Sequence, residues 1–125
     1  MLAEFDVIAL VATSDSERAR AFYEGALGLT FVEDGPYALV FDAHGIMLRI
    51  QKVEQVKLGS GTALGWRVTD IAATVRALMA NGVKFERSEG MGADELGVWY
   101  SGTAKVAWFK DPDGNTLALF QPESA

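Results

Sequence analysis

Hydrophobic and polar positions along the chain fall into two successive blocks with the same order of periods. Residues 7–13 form a short, apolar, β-rich run that predicts a buried strand. Ser14-Asp15-Ser16-Glu17 follows. Ser14 is the expected helix cap, and Glu17, three residues on, reaches back to close a capping box. Ala19, Phe22, Tyr23, Ala26 and Leu27 then recur at helical spacing on one apolar stripe, and Gly28 ends the helix. Residues 29–33, 37–41 and 46–52 read as three strands, parted by the turn signals Asp34-Gly35-Pro36 and Asp42-Ala43-His44-Gly45.

A polar linker over residues 53–62, with Gly59-Ser60-Gly61, separates this block from the next. The same order then returns. Residues 63–69 predict a strand. Asp70 caps a helix whose stripe includes Ile71, Val75, Leu78 and Met79, and Gly82 ends it. Residues 83–87, 98–101 with 104–110, and 116–121 supply the remaining strands. The loop over residues 88–97 is read as a surface loop, with a mobile lid as its alternative. The repeat is visible in the spacing itself. Asp15 precedes Gly28 by thirteen residues and Asp70 precedes Gly82 by twelve; Gly45 and Gly114 are each followed at the third position by leucine, Leu48 and Leu117. A module of this size buries its sheet face poorly alone, and two together do so better.

Composition narrows the classes of function. The 125 residues fit one domain over 1–125, with module one at about 4–53 and module two at about 63–122. The net charge of −6, with lysine and arginine scattered, argues against a nucleic-acid partner. No apolar run approaches the roughly 20 residues of a membrane span. The acids of Met1-Leu2-Ala3-Glu4-Phe5-Asp6 stand where a signal peptide carries bases, and the chain has no cysteine, so a cytoplasmic location is expected. With one histidine and no cysteine, neither a Ser-His-Asp nor a Cys-His set can be assembled.

The duplicated strand-helix-three-strand order resembles the vicinal oxygen chelate superfamily of glyoxalases, extradiol dioxygenases and bleomycin- and fosfomycin-resistance proteins. Two stretches carry the resemblance locally. Asp15-Ser16-Glu17-Arg18-Ala19-Arg20-Ala21-Phe22-Tyr23 with Leu27-Gly28-Leu29 looks like the family's first helix and its exit. Val106-Ala107-Trp108-Phe109-Lys110-Asp111-Pro112-Asp113-Gly114-Asn115 looks like its last hairpin. The resemblance covers nearly the whole chain. It implies an α+β fold of duplicated βαβββ modules forming a curved, cavity-enclosing mixed sheet, with a helix packed outside each module. Both motifs also have plain structural explanations, as core packing and as turn chemistry.

In metal-using relatives four side chains point into the cavity, one from the first and one from the last strand of each module. The resemblance maps these onto Ile8 and Leu64, and onto Arg49 and Ala118. Ile8, Leu64 and Ala118 have no lone pair to give, and the Arg49 guanidinium is a permanent cation. Neither metal nor cofactor is therefore expected. His44, in a turn beside Gly45, is expected to be an exposed turn residue.

Strand parity then predicts the cavity lining. Arg49 brings Met47 and Gln51 to the same face. Ile8 with Asp6 and Leu10, Leu64 with Trp66, and Ala118 with Thr116 and Phe120 join them, and Trp99 and Trp108 make the second half aromatic. Apolar walls with few polar anchors suit a small-molecule ligand, apolar or aromatic and, through Arg49, anionic. Alternatively Arg49 is solvated at the rim or paired with an acid such as Asp6. Three functions are open: a metal-independent binding protein, favoured here; a metal-free enzyme with Arg49 as clamp and Asp6 or Asp94 as base; and a metal-dependent lyase or dioxygenase with ligands elsewhere, among His44, Glu54, Asp94 and Glu95. Relatives of this length usually dimerise, and a closed two-fold dimer is the commonest oligomer. A homodimer is expected, with light scattering at micromolar concentration giving the mass of two chains rather than one.

Overall fold

A computed structural model describes residues 1–87 and 93–123. The chain divides into two compact units, Met1–Leu58 and Gly59–Ala125. Unit one runs β1 (Ala9–Thr13), α1 (Ser16–Arg20), β2 (Thr30–Asp34), β3 (Ala38–Ala43) and β4 (Ile46–Lys52). Its sheet has the order β1-β4-β3-β2, with β1 parallel to β4 and the other pairs antiparallel. Unit two runs β5 (Leu64–Arg67), α2 (Ile71–Ala80), β6 (Trp99–Tyr100), β7 (Ala104–Lys110) and β8 (Thr116–Pro122), in the order β5-β8-β7-β6. Here β5 is parallel to β8 and the rest are antiparallel. The two sheets are thus mixed and equivalent in order, as the repeat predicts.

Both helices begin at an aspartate. The Asp15 carboxylate accepts from the Arg18 N–H at 3.2 Å, and the Asp70 carboxylate accepts from the Ala73 N–H at 3.1 Å. The cap of α1 is therefore Asp15 rather than Ser14. Serine and aspartate cap about equally well, so their order alone does not choose between them. After Arg20 the helix widens into a π-helical turn over Ala21–Ala26, in which the Leu27 N–H reaches the Phe22 carbonyl at 2.9 Å. Gly28 follows at φ 73°, a conformation in which a Cβ would be strained.

Each sheet buries one face under its helix. In unit one, Leu48 and Ile50 of β4 and Phe41 of β3 are fully buried, with the Tyr23 ring 6.1 Å from that of Phe41. In unit two, Leu117 of β8 and Ala107 and Phe109 of β7 are fully buried beside Ile71 and Val75 of α2. The Phe31–Phe41 pair of unit one, with ring centroids 5.5 Å apart, has its counterpart in Phe85–Phe109 at 5.1 Å.

The expected strand over residues 83–87 is reduced to a single bridge, Phe85 to Phe109. The Val83 N–H is already bonded to the Leu78 carbonyl at the helix exit, at 3.0 Å. Farther along the same edge of β7, Trp99 and Tyr100 pair with Val106 and Lys105. Two separate segments therefore share the edge that β2 occupies alone in unit one. Of the expected loop at 88–97, residues 88–92 lie outside the described residues. In its remainder Asp94 organises a turn, its Oδ1 accepting from the Leu96 and Val98 N–H groups at 2.8 and 2.9 Å.

Candidate functional site

The register of each sheet decides which side chains share the face away from the helix. In unit one, Leu10, Arg49 and Val40 form one cross-strand row, and Ala12, Gln51 and Ala38 form the next. Met47 stands level with Asp42. Since Leu48 and Ile50 are fully buried on the other face, Met47, Arg49 and Gln51 lie on the helix-free face, as parity predicts. Ile8, immediately ahead of β1, and Met47 are each nearly half exposed. They line a cavity of about 350 Å³ with Asp6, Val7, Val32, Val40, Phe41, Asp42 and Gly45. Its walls are mainly aliphatic, and its two carboxylates stand at Asp6 and Asp42. Asp42 also accepts from the Gly45 N–H at 3.1 Å, which closes the β3–β4 turn. His44 and Gly45 hold φ 53° and 87° in that turn, and His44 is exposed.

In unit two, Trp99, Val106 and Phe120 share one row, and Trp108, Ala118 and Gly65 share the next. Trp99 and Trp108 meet with ring centroids 5.9 Å apart and planes 35° off parallel. They line a cavity of about 270 Å³ with Ser60, Gly61, Thr62, Glu86, Ala93, Gly97 and Thr116.

The expected lining residues are thus divided. Ile8 and Met47 meet in the first cavity, and Trp99 and Trp108 meet in the second. Arg49, Gln51, Ala118 and Phe120 lie on helix-free faces but outside both of these linings. Leu64 and Trp66 are placed differently from the expectation. They stand level with Leu117 and Leu119, which are buried on the helix side, and the Trp66 ring stacks over Phe109 at 6.3 Å. The helix-free positions of β5 are Gly65 and Arg67. Counting from the helix cap explains the difference. Ile8 stands seven residues before Asp15, but Leu64 stands six before Asp70; the equivalent residue is Ala63.

That shift of one leaves the metal test unchanged, because alanine and glycine offer no side-chain donor. Ile8, Ala63, Arg49 and Ala118 do not fit a divalent ion. Among the described residues, no three of histidine, cysteine, aspartate and glutamate come together in a way that could hold one. Thr116, which parity places on the face of Ala118, lines the second cavity, and Asp6, on the face of Ile8, lines the first; sequence reasoning missed Asp42, Glu86 and Thr62 as cavity residues. Glu86 reaches its place only because its N–H pairs with the Trp108 carbonyl, at 2.8 Å across 22 residues of chain. Tyr100, outside both linings, has its phenol held above the ordinary value of 10.0 by its hydrogen bond with Glu123.

The fold and these motifs identify the class. The model of the glyoxalase/bleomycin resistance protein/dioxygenase superfamily matches residues 5–119, and the chain belongs to that superfamily. Similar solved structures include a glyoxalase family protein from Enterococcus faecalis, at 20% identity and TM-score 0.74 over 96% of this chain and 99% of that one. A glyoxalase family protein from Bacillus anthracis is 16% identical, with TM-score 0.72 over 95% and 97%. An antibiotic-binding protein from a Streptomyces species is 22% identical, with TM-score 0.66 over 95% and 98%. No curated protein matches the sequence. At these identities the structures speak for the fold, and the fold alone assigns no activity.

Proposed function

We propose that this chain is a metal-independent small-molecule-binding protein whose ligand is apolar or aromatic. The observation that carries the reading is the chemistry of the helix-free faces. The positions where metal-using relatives hold their ion offer no donor set, while the same faces carry cavities walled by aliphatic and indole side chains. Small-molecule sites typically combine such walls with a few polar anchors. The antibiotic-binding relative supports a binding role on this fold. Arg49, between Leu10 and Val40 on the first face, is the anchor proposed for an anionic group where the ligand carries one.

Three observations weigh against the enzymatic alternatives. Asp94 is committed to backbone donors in its own turn, and Asp6 and Arg49 do not form an ion pair among the described residues. His44 sits exposed in the β3–β4 turn, and among the described residues no three metal-binding side chains gather in a way that could hold an ion.

The test is a screen of small aromatic and aliphatic compounds by tryptophan fluorescence, run with and without excess chelator. Binding at micromolar to millimolar concentration that is unchanged by chelator is the expected result. For any anionic hit, Arg49→Ala is expected to weaken binding roughly tenfold or more, the loss of one charge-assisted contact. Ligand binding that disappears with chelator, or steady conversion of a bound compound, would replace this reading by a metal-dependent or enzymatic one.

A further inference from the structure

We propose that the cavity of unit two takes a planar aromatic cation of one or two rings. This rests on the reading of the helix-free cavities as ligand sites and adds, for the cavity of unit two, the sign of its occupant's charge, separate from the Arg49 anchor of unit one. A ring slotted between two parallel indoles needs roughly 7 Å between them, two van der Waals contacts of about 3.5 Å each. Trp99 and Trp108 are 5.9 Å apart and tilted by 35°. The two rings are therefore already in contact and present one joined aromatic wall, against which a ligand stacks from the cavity side. The face of an indole is the negative end of its quadrupole, so such a wall favours a cation over a neutral ring of the same shape.

The other cavity groups have the same sign preference. Glu86 lines the cavity together with Thr62 and Thr116, and no lysine, arginine or histidine is among the described lining residues. Lys110 stands at Glu86, with its Nζ 3.5 Å from Oε1, but both side chains are about half exposed. An exposed pair of this kind contributes little, so a ligand cation displaces Lys110 at small cost. The chain's charge of −6 adds a general attraction for cations. An anion would meet the Glu86 carboxylate and the negative ring faces together. The volume of about 270 Å³ lies at the lower end of ligand cavities and limits the occupant to a small ring system.

Three shape-matched probes test this on the full chain: N-methylquinolinium, a neutral methylquinoline at mildly alkaline pH, and a quinoline carboxylate. Affinities come from calorimetry, and the indole N–H signals of the three tryptophans report the place. The cation is expected to bind about tenfold tighter than the neutral probe, with the carboxylate weakest. The signals of Trp99 and Trp108 are expected to move while that of Trp66, on the other face, stays. Glu86→Gln, which keeps the side chain's size, is expected to reduce the preference for the cation to the smaller part that the indole faces supply. Lys110→Gln is expected to strengthen it. Equal affinity for all three probes, unaltered by Glu86→Gln, overturns the charge assignment and leaves the cavity as a site for aromatics. Cation binding that moves only the Trp66 signal overturns the placement. No binding by any probe overturns the assignment together with the reading of this cavity as a site.

Discussion

Phe109→Ala is expected to lower the stability of the chain by about 3–5 kcal/mol, measured as a fall in the urea midpoint. Phe109 is fully buried, with Phe85 at 5.1 Å on one side and Trp66 stacked at 6.3 Å on another. Truncation removes the ring's transfer free energy and leaves a space that two large aromatic neighbours cannot close without leaving their rotamers. A domain has roughly 5–15 kcal/mol in total, so the loss is a large fraction of what holds the fold. Phe41→Ala is expected to cost a similar amount, because Phe41 is equally buried against Phe31 and Tyr23. A cost below about 1 kcal/mol at Phe109 would mean that Trp66 and Phe109 do not share the helix side, and would return Trp66 to the opposite face.

The second large effect lies in the turn between β7 and β8. Asp111 and Asn115 are both buried there. Asp111 Oδ1 accepts from the Asp113 and Asn115 N–H groups at 3.0 and 2.9 Å, and Oδ2 accepts from the Asn115 side-chain amide at 2.8 Å. Asp111→Ala removes the acceptor of three donors, two of them on a buried residue. A loss of about 2–4 kcal/mol in the same urea experiment is expected, more than an exposed turn residue would give. Asp111→Asn keeps one acceptor oxygen and is expected to fall between the two. A neutral Asp111→Ala would show that the turn is held by proline and glycine geometry alone. The motif that looks most like a family signature is, on this account, a device that closes a hairpin, and none of its turn residues from Asp111 to Asn115 is in the lining of either cavity described above.

Much of this fold was legible because the repeat constrains itself. Alternation in β4 is unambiguous: Arg49 stands between Leu48 and Ile50, and a guanidinium does not share a face with a packed core. The aspartates at the two helix starts and the glycines at the two hairpins fix the remaining elements to within a few residues. The first strand of unit two was harder. In Ala63-Leu64-Gly65-Trp66-Arg67 the larger apolar residues alternate with alanine, glycine and arginine. That pattern places Leu64 and Trp66 on the core side, but tryptophan is also a natural cavity wall, and a slip of one residue exchanges the faces completely.

The edge of the second sheet was not legible for a different reason. Val83 and Phe85 alternate with Lys84 and Glu86 as a strand would. Only the helix exit, which already uses the Val83 N–H, and the competing pair Trp99–Tyr100 reduce that segment to one bridge. Glu86 was invisible as a cavity residue on the same ground, since a long-range pairing puts it beside Trp108. Parity orders residues along one strand. It does not say which residues of different strands come within reach of one ligand, and so Met47 and Arg49, two residues apart, part company at the first cavity.

The absence of a metal-holding donor set is the central claim, and metal content tests it most directly. The purified chain would be incubated with excess zinc, nickel and iron, desalted without chelator and analysed for bound metal. With aliphatic and guanidinium groups at Ile8, Ala63, Arg49 and Ala118, and no group of three histidine, cysteine or acidic side chains that could hold an ion among the described residues, less than about a tenth of an equivalent per chain is expected. Near-stoichiometric metal would contradict the account, move the search for ligands to His44 and the acidic side chains, and make a metal-dependent lyase or oxygenase the leading reading.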